Sequence, residues 1–380
     1  MNPSTSLRIM KIALVHDYLR EYGGAERVLE ALHEIFPQAP IYTAYYNPNG
    51  LGVHTQRLKG WDIRTSWLQK IPGANRLISP LRIFAPMIFE GFDLSEYDLV
   101  ISSCSIYFAK AVRTKPEALH ISYIHTPPRY LYGYTTSFNY KKRWWTKVLG
   151  EITNHFLRIF DFQTSQRPDI LVANSKNVAE RIKKFYRREA VVIYPPVDID
   201  KFRIDNLEFR IKGKDRYFLS VGRLVRGKGI DIIVEACTKL GLPLKVVGIG
   251  PELESLKKMA GKSVEFLGQV EDEEMPEIYA QALATIVASE DEDFGIVPVE
   301  SMASGTPVIA VRAGGFLETV VERKTGLFFD QATPQSLMEV LKNFEPGRYM
   351  AEDCRKQAEK FSQKKFKEEI LALIEKNLPD

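Results

Sequence analysis

Short apolar runs alternate with segments of helical period along the whole chain. Lys11–His16 (KIALVH) is a strand-length apolar run, followed by a turn at Gly23-Gly24 and helical spacing over Ala25–Phe36. Asp98–Ser102, Leu119–His125 and Asp169–Ala173 are likewise apolar, of strand length and bounded by breakers. Asn174-Ser175 offers an N-cap for a helix over Val178–Tyr186. Near-continuous apolar strands alternating with helices predict parallel sheets covered on both faces. Val191–Tyr194 ends this series, because Pro195-Pro196 blocks both ladder and helix.

The same pattern restarts beyond the prolines. Tyr217–Val221, Leu244–Val247, Val264–Leu267, Ala284–Ala288 and Pro307–Ala310 read as strands. Ile230–Leu240, Glu252–Met259, Glu273–Gln281 and a short stretch near Val299–Ala303 read as helices, and the tail from Tyr349 to Leu378 as polar helix. The expectation is an α/β protein of two Rossmann-like, doubly wound domains facing across a cleft. They are expected over residues 1–205 and 206–355, with a terminal helix over 356–380. Ligands of such sheets bind at the carboxyl ends of the strands, so the cleft is the expected site.

Composition agrees with two domains: 380 residues exceed what one core of roughly 250–300 residues accommodates. The net charge of +4 is too small to imply a nucleic-acid partner, but it is unevenly spread. Residues 1–210 carry 29 Lys/Arg against 20 Asp/Glu, and residues 211–380 carry 23 against 28, so the first half is basic and the second acidic. Cys104, Cys237 and Cys354 are odd in number, far apart and without metal-ligand spacing, which predicts ordinary thiols in a reducing compartment. Arg8 and Lys11 interrupt the first apolar stretch, and no run approaches the roughly 18 residues that span a bilayer. A cytoplasmic protein is expected, with room for peripheral contact at the inner face of the membrane.

Four places offer chemistry. In Glu292-Asp-Phe-Gly-Ile-Val-Pro-Val-Glu300, a continuous helix would set the two glutamates about 80° apart, and Gly295 and Pro298 argue against one. A loop followed by a helix with Pro298 at its first position fits better. Backbone N–H groups around Phe294, Gly295 and Ile296 would then face an anion, Glu292 would sit beside it, and Glu300 in the first turn could accept from a vicinal diol. A solvated acidic loop with a capping glutamate is the alternative for the bare pair. Gly222-Arg223-Leu-Val-Arg226-Gly-Lys228-Gly229 follows a predicted strand, and Arg223 and Lys228 there suit a diphosphate leaving group as well as a basic surface turn. Gly23-Gly24 makes a similar offer from the other domain. His125, in His-Thr-Pro-Pro-Arg129, ends a strand at the same level, where a structural and a functional histidine are equally in view. Gly248-Ile-Gly250-Pro251 lacks the third glycine of a dinucleotide fingerprint, so no nicotinamide or flavin cofactor is expected.

Taken together these stretches resemble the family 4 retaining glycosyltransferases of GT-B fold, as in bacterial polysaccharide mannosyl- and glucosyltransferases. The resemblance rests on Val221–Gly229, Val247–Glu254, Phe266–Val270, Glu292–Ala310 and Gly314–Glu318 in the second half. In the first half it rests on Gly23–Val28, Tyr123–Tyr130 and Val172–Asp198. It implies that Gly222, Arg223 and Lys228 hold the diphosphate of a nucleoside-diphosphate sugar with Gly23 and Gly24. It implies further that Glu300 binds the ribose and the Gln269-Val270 backbone edges the base. Glu292, His125 and the Phe294–Ile296 backbone would hold the sugar. It also implies a C-terminal helix that returns to the first domain, and transfer with retention and no bound metal, to a saccharide or lipid-linked acceptor in polysaccharide biosynthesis, with UDP-glucose the favoured donor and GDP-mannose next. A nucleotide-sugar epimerase and a catalytically silent sugar-nucleotide-binding protein are the alternatives; Glu292 with Glu300 speaks against the first, Arg223 with Lys228 against the second. The aromatic, cationic segment 130–147 (YLYGYTTSFNYKKRWWTK) reads either as a peripheral membrane contact or as an acceptor loop.

Overall fold

The computed structural model describes residues 10–75, 81–134, 144–204 and 216–378. They form two units: one runs to Pro196 and takes the chain back from Lys364, the other is Val197–Gln363. The first change of unit falls on the proline pair. The expected boundary at 205/206 lies outside the described residues.

The first unit is built on seven parallel strands: β1 (Ile12–His16), β2 (Ile41–Thr43), β3 (Ile63–Thr65), β4 (Leu99–Cys104), β5 (Leu119–Ile124), β6 (Ile170–Ala173) and β7 (Val191–Val192). Their spatial order is β3-β2-β1-β4-β5-β6-β7, so the strand order reverses between β1 and β4. Successive strand residues point to opposite faces. Leu14, Leu99 and Ile101 accordingly join a layer with Val28 and Leu32 of the helix Gly24–Ile35. Ala13, Val15 and Val100 join the other layer, with Phe89, Leu157 and Tyr186. β4 and β5 are buried throughout, polar residues included, because those residues bond one another: Ser102 Oγ lies 3.0 Å from His120 Nε2 and donates to Ser122 Oγ at 2.9 Å. The helix Trp144–Thr164 buries Asp161, which pairs with buried Lys110 and accepts from Tyr132 Oη at 2.7 Å.

The second unit has six parallel strands: β8 (Phe218–Val221), β9 (Leu244–Val247), β10 (Val264–Gly268), β11 (Ala284–Val287), β12 (Val308–Val311) and β13 (Gly326–Phe329). Their order is β10-β9-β8-β11-β12-β13, which reverses between β8 and β11. The tail is not one helix. Ala351–Ala358 and a 3₁₀ turn, Glu359–Phe361, stay with the second unit, where Gln357 donates to Thr319 O at 3.0 Å. Ser362 is extended and pairs with Val197, and the helix Gln363–Asn377 then places Phe366, Ile370 and Ile374 in the first unit's core.

Candidate functional site

In the second unit the expected residues gather where β8 and β11 part. The loop after β8 carries Gly222, Arg223 and Lys228, and the loop after β11 carries Glu292 and Phe294. Lys228 Nζ donates to Glu292 Oε2 at 2.7 Å, joining two side chains read separately from the sequence. Close backbone contacts shape these loops. A Cβ on Gly248 would lie 1.9 Å from Gly222 O, one on Gly250 2.3 Å from Leu224 O, and one on Gly229 2.5 Å from Ala288 O. Gly248 has φ +136°, a conformation that favours glycine. On the far side, Gly315 N–H donates to Glu292 O at 2.9 Å, and a Cβ on Gly315 would fall 2.4 Å from Phe294 Cα. The Gly314-Gly315 pair therefore clamps the acidic loop, and buried Phe294 packs its ring 5.3 Å from that of Phe361. Arg223 is exposed, while Lys228 and Glu292 are partly covered.

Two expected details change. The helix after the acidic loop is Ile296–Ala303, capped by Gly295 at φ +92°, so Pro298 is its third residue rather than its first. A proline is tolerated there because first-turn N–H groups have no helical acceptor. Glu300 consequently falls in the second turn, buried at 5% exposure, and one carboxylate oxygen accepts from Tyr279 Oη at 2.8 Å. Gln269 and Val270 follow β10, whose Gly268 O accepts from Gly248 N at 2.7 Å, and this ties them to the loop after β9.

In the first unit Gly23 caps the helix Gly24–Ile35, and its N–H is already engaged: it donates to Glu26 Oε2 at 2.9 Å. His125 follows β5 directly, and its Nε2 lies 2.8 Å from Ser103 Oγ. Burial above all lowers the His125 pKa to about 3, so the ring is neutral. Three residues at this end went unsingled in the sequence. Glu26 and His16 adjoin this region, and Asp17 accepts N–H donation from Ile106, Ser105, Ala109 and Tyr107 at 2.6, 2.7, 2.8 and 2.9 Å. Only the Gly23-x-x-Glu26 spacing carries a sequence signal, that of the glutamate half of a capping box, since glycine has no side chain to return the bond. Of segment 130–147, residues 135–143 lie outside the described residues; Arg129–Tyr132 is a short helix, and the backbone from Trp144 is helical. No described helix is long and apolar enough to cross a membrane.

Two doubly wound parallel sheets, each with its own switch point, are the architecture of the GT-B fold. Solved structures share the fold across nearly the whole chain. An Anabaena protein, HepE in complex with UDP and glucose, superposes with TM-score 0.71 at 19% identity, covering 96% of this chain and 99% of that one. Sucrose-phosphate synthase from Thermosynechococcus elongatus gives TM-score 0.71 at 20% identity, covering 96% and 98%. The chain belongs to the family 4 glycosyltransferases: residues 22–201 match the model "Glycosyltransferase Family 4" and residues 202–361 match "Glycosyl transferases group 1". Mouse alpha-1,3/1,6-mannosyltransferase ALG2 is 27% identical over 85% of this chain and 84% of its own length. A Mycobacterium tuberculosis GDP-mannose-dependent alpha-(1-6)-phosphatidylinositol monomannoside mannosyltransferase is 38% identical over 36% of this chain and 41% of its own. An uncharacterized glycosyltransferase of Methanocaldococcus jannaschii is 29% identical over 55% of this chain, and the match spans 60% of that relative's length.

Proposed function

We propose that the protein is a retaining hexosyltransferase that needs no metal and moves a hexose from a nucleoside-diphosphate sugar to a saccharide or lipid-linked acceptor in polysaccharide biosynthesis. The observation that carries this reading is the Lys228–Glu292 pair, 2.7 Å apart at the β8/β11 switch point beside exposed Arg223. Arg223 and Lys228 offer two cations to a diphosphate whose charge grows as it leaves, and the helix Ile296–Ala303 begins just after the same acidic loop. Glu292, held by Lys228, offers an acceptor to sugar hydroxyls. Glu300, which accepts from Tyr279 Oη at 2.8 Å, is the carboxylate assigned to the ribose diol. The acceptor hydroxyl attacks from the leaving-group face, and its proton passes to the departing phosphate oxygen.

UDP-glucose led GDP-mannose in the sequence reading; the mannosyltransferase names among the sequence relatives favour GDP-mannose as the first donor to test. Calorimetric titration with UDP, GDP, UDP-glucose and GDP-mannose, each with EDTA present, is the deciding experiment. Tight binding of one nucleotide and its sugar, undiminished by EDTA, is expected. Binding of none would overturn the donor-site reading.

We also place the basic first unit against a bilayer. The helix Trp144–Thr164 turns Leu157 and Asp161 inward and leaves Ile152, Phe156, Ile159 and Phe162 exposed on its outer side, immediately after the sequence Lys141-Lys142-Arg143. Co-sedimentation with phosphatidylglycerol vesicles is expected for the protein and lost in Phe156→Glu; no sedimentation of the unaltered protein would remove the membrane contact.

A further inference from the structure

Gly23, Glu26, His16, Ser103 and His125 form one buried line across the first unit. Gly23 N–H donates to Glu26 Oε2 at 2.9 Å, and Glu26 Oε1 lies 3.5 Å from His16 Nε2. His16 Nδ1 lies 3.1 Å from Ser103 Oγ, which lies 2.8 Å from His125 Nε2. None of the four residues Glu26, His16, Ser103 and His125 is more than 8% exposed. His16 and Ser103 are facing register partners at the last paired positions of β1 and β4, where the strand order reverses. The line thus runs from the Gly-Gly loop, expected at the diphosphate, to the histidine expected at the sugar.

The chemistry of its first member gives the line a direction. Glu26 Oε1, 3.5 Å from His16 Nε2, favours a proton on that nitrogen, and a neutral His16 with its proton there keeps Nδ1 as a lone pair. Ser103 must then donate its hydroxyl proton to His16 Nδ1, and its oxygen accepts from His125 Nε2–H. A neutral imidazole with a proton on Nε2 has an acceptor at Nδ1. No hydrogen bond from another described residue reaches His125 Nδ1.

We propose that Glu26, His16 and Ser103 are positioning residues that hold His125 in its Nε2–H tautomer, so that Nδ1 accepts a hydrogen bond from a hydroxyl of the transferred sugar. This rests on the reading of His125 as a sugar contact, and it adds the atom, the polarity and the residues that impose it. The depressed pKa of His125 agrees, because a protonated ring would offer no acceptor. The arrangement also links two halves of the donor site: the glutamate that caps the Gly23 turn sets the proton on His125 through two intermediates.

Glu26→Gln reverses the line while preserving its shape. Gly23 N–H retains the amide oxygen, the amide NH₂ donates to His16 Nε2, and each proton downstream moves to the other side, leaving His125 as its Nδ1–H form. Two-bond ¹H–¹⁵N spectra of histidine-labelled protein read this directly, with the His125 signals assigned by their loss in His125→Asn. The expected result is an Nε2–H His125 in the ligand-free wild type and an Nδ1–H His125 in Glu26→Gln. In the Ser103 variants, Ser103→Thr keeps the wild-type pattern and Ser103→Ala gives mixed tautomers. Glu26→Gln and Ser103→Ala should also lower kcat about tenfold, the worth of one hydrogen bond at the transition state, while UDP and GDP affinities stay within about twofold. A wild-type His125 carrying its proton on Nδ1, or a tautomer indifferent to Glu26→Gln, would overturn the proposal. The wild-type spectrum decides even if a variant fails to fold. Because the tautomer is read without donor, a protein that binds no nucleotide sugar would refute the functional reading and leave the relay standing.

Discussion

Lys228 and Glu292 reach each other from separate loops, and the ion pair between them is partly exposed, so its worth to stability is small, about 0–1 kcal/mol. Under the proposed function its value lies in holding the two side chains in place. Lys228→Ala and Arg223→Ala are each expected to cost about 2–4 kcal/mol of transition-state stabilisation, seen as a fall in kcat for transfer from the preferred donor; wild-type turnover in either variant would refute the clamp. The neutral histidines make a second prediction. Burial lowers both His120 and His125 to about 3 in the folded protein, against about 6.5 in the unfolded chain. The unfolded state therefore binds more protons between those values, and stability falls as pH drops below about 6.5, by up to about 1.4 kcal/mol per pH unit for each ring. Urea midpoints at pH 7.5 and pH 5 should show the decline, and His120→Gln should flatten it; midpoints independent of pH would contradict the neutral burial of both rings. At this scale Arg223, Lys228, Glu292 and His125 were readable from their places after apolar runs. His16 and Ser103 were not, because a histidine ending a strand and a serine within one are ordinary until their neighbours are known.

Among the elements, the glycine-rich loops of the second unit do the shaping. Gly248 combines a positive φ with a Cβ position 1.9 Å from Gly222 O, so an alanine would push apart the loops after β8 and β9. Gly248→Ala is expected to destabilise the protein by about 1–3 kcal/mol and to lose nucleotide affinity at the same time, measured by thermal unfolding and by titration. Retained stability and affinity together would mean that the loops tolerate separation. The long apolar strands and capped helices were plain from periodicity. The short strands β2 (Ile41–Thr43) and β3 (Ile63–Thr65) were not, since three residues carry no period and become strands only by pairing with a neighbour already in place. The same holds for β13 (Gly326–Phe329), beginning with a glycine that lets Val308 O approach to 1.9 Å of its absent Cβ.

For the whole molecule, the chain's return is the largest structural commitment. Phe366, Ile370, Leu371 and Ile374 complete a core layer of the first unit more than 160 positions after Pro196, the end of that unit's main run. Phe366→Ala should cost about 3–5 kcal/mol and speed hydrogen exchange in β1, β4 and β5 while leaving β8 and β11 protected; equal loosening of both sheets would show the units to be one cooperative system. The amino-acid order alone settled the two parallel α/β sheets and the proline-marked passage between them, because those follow from local period and breakers; it also singled out the loop residues proposed here for the donor, from the types of side chain that trail each strand. The tertiary structure decided which loops meet, where the tail divides between units, and which side chains line up from Glu26 to His125. These depend on contacts between residues distant in sequence, and no local pattern encodes them.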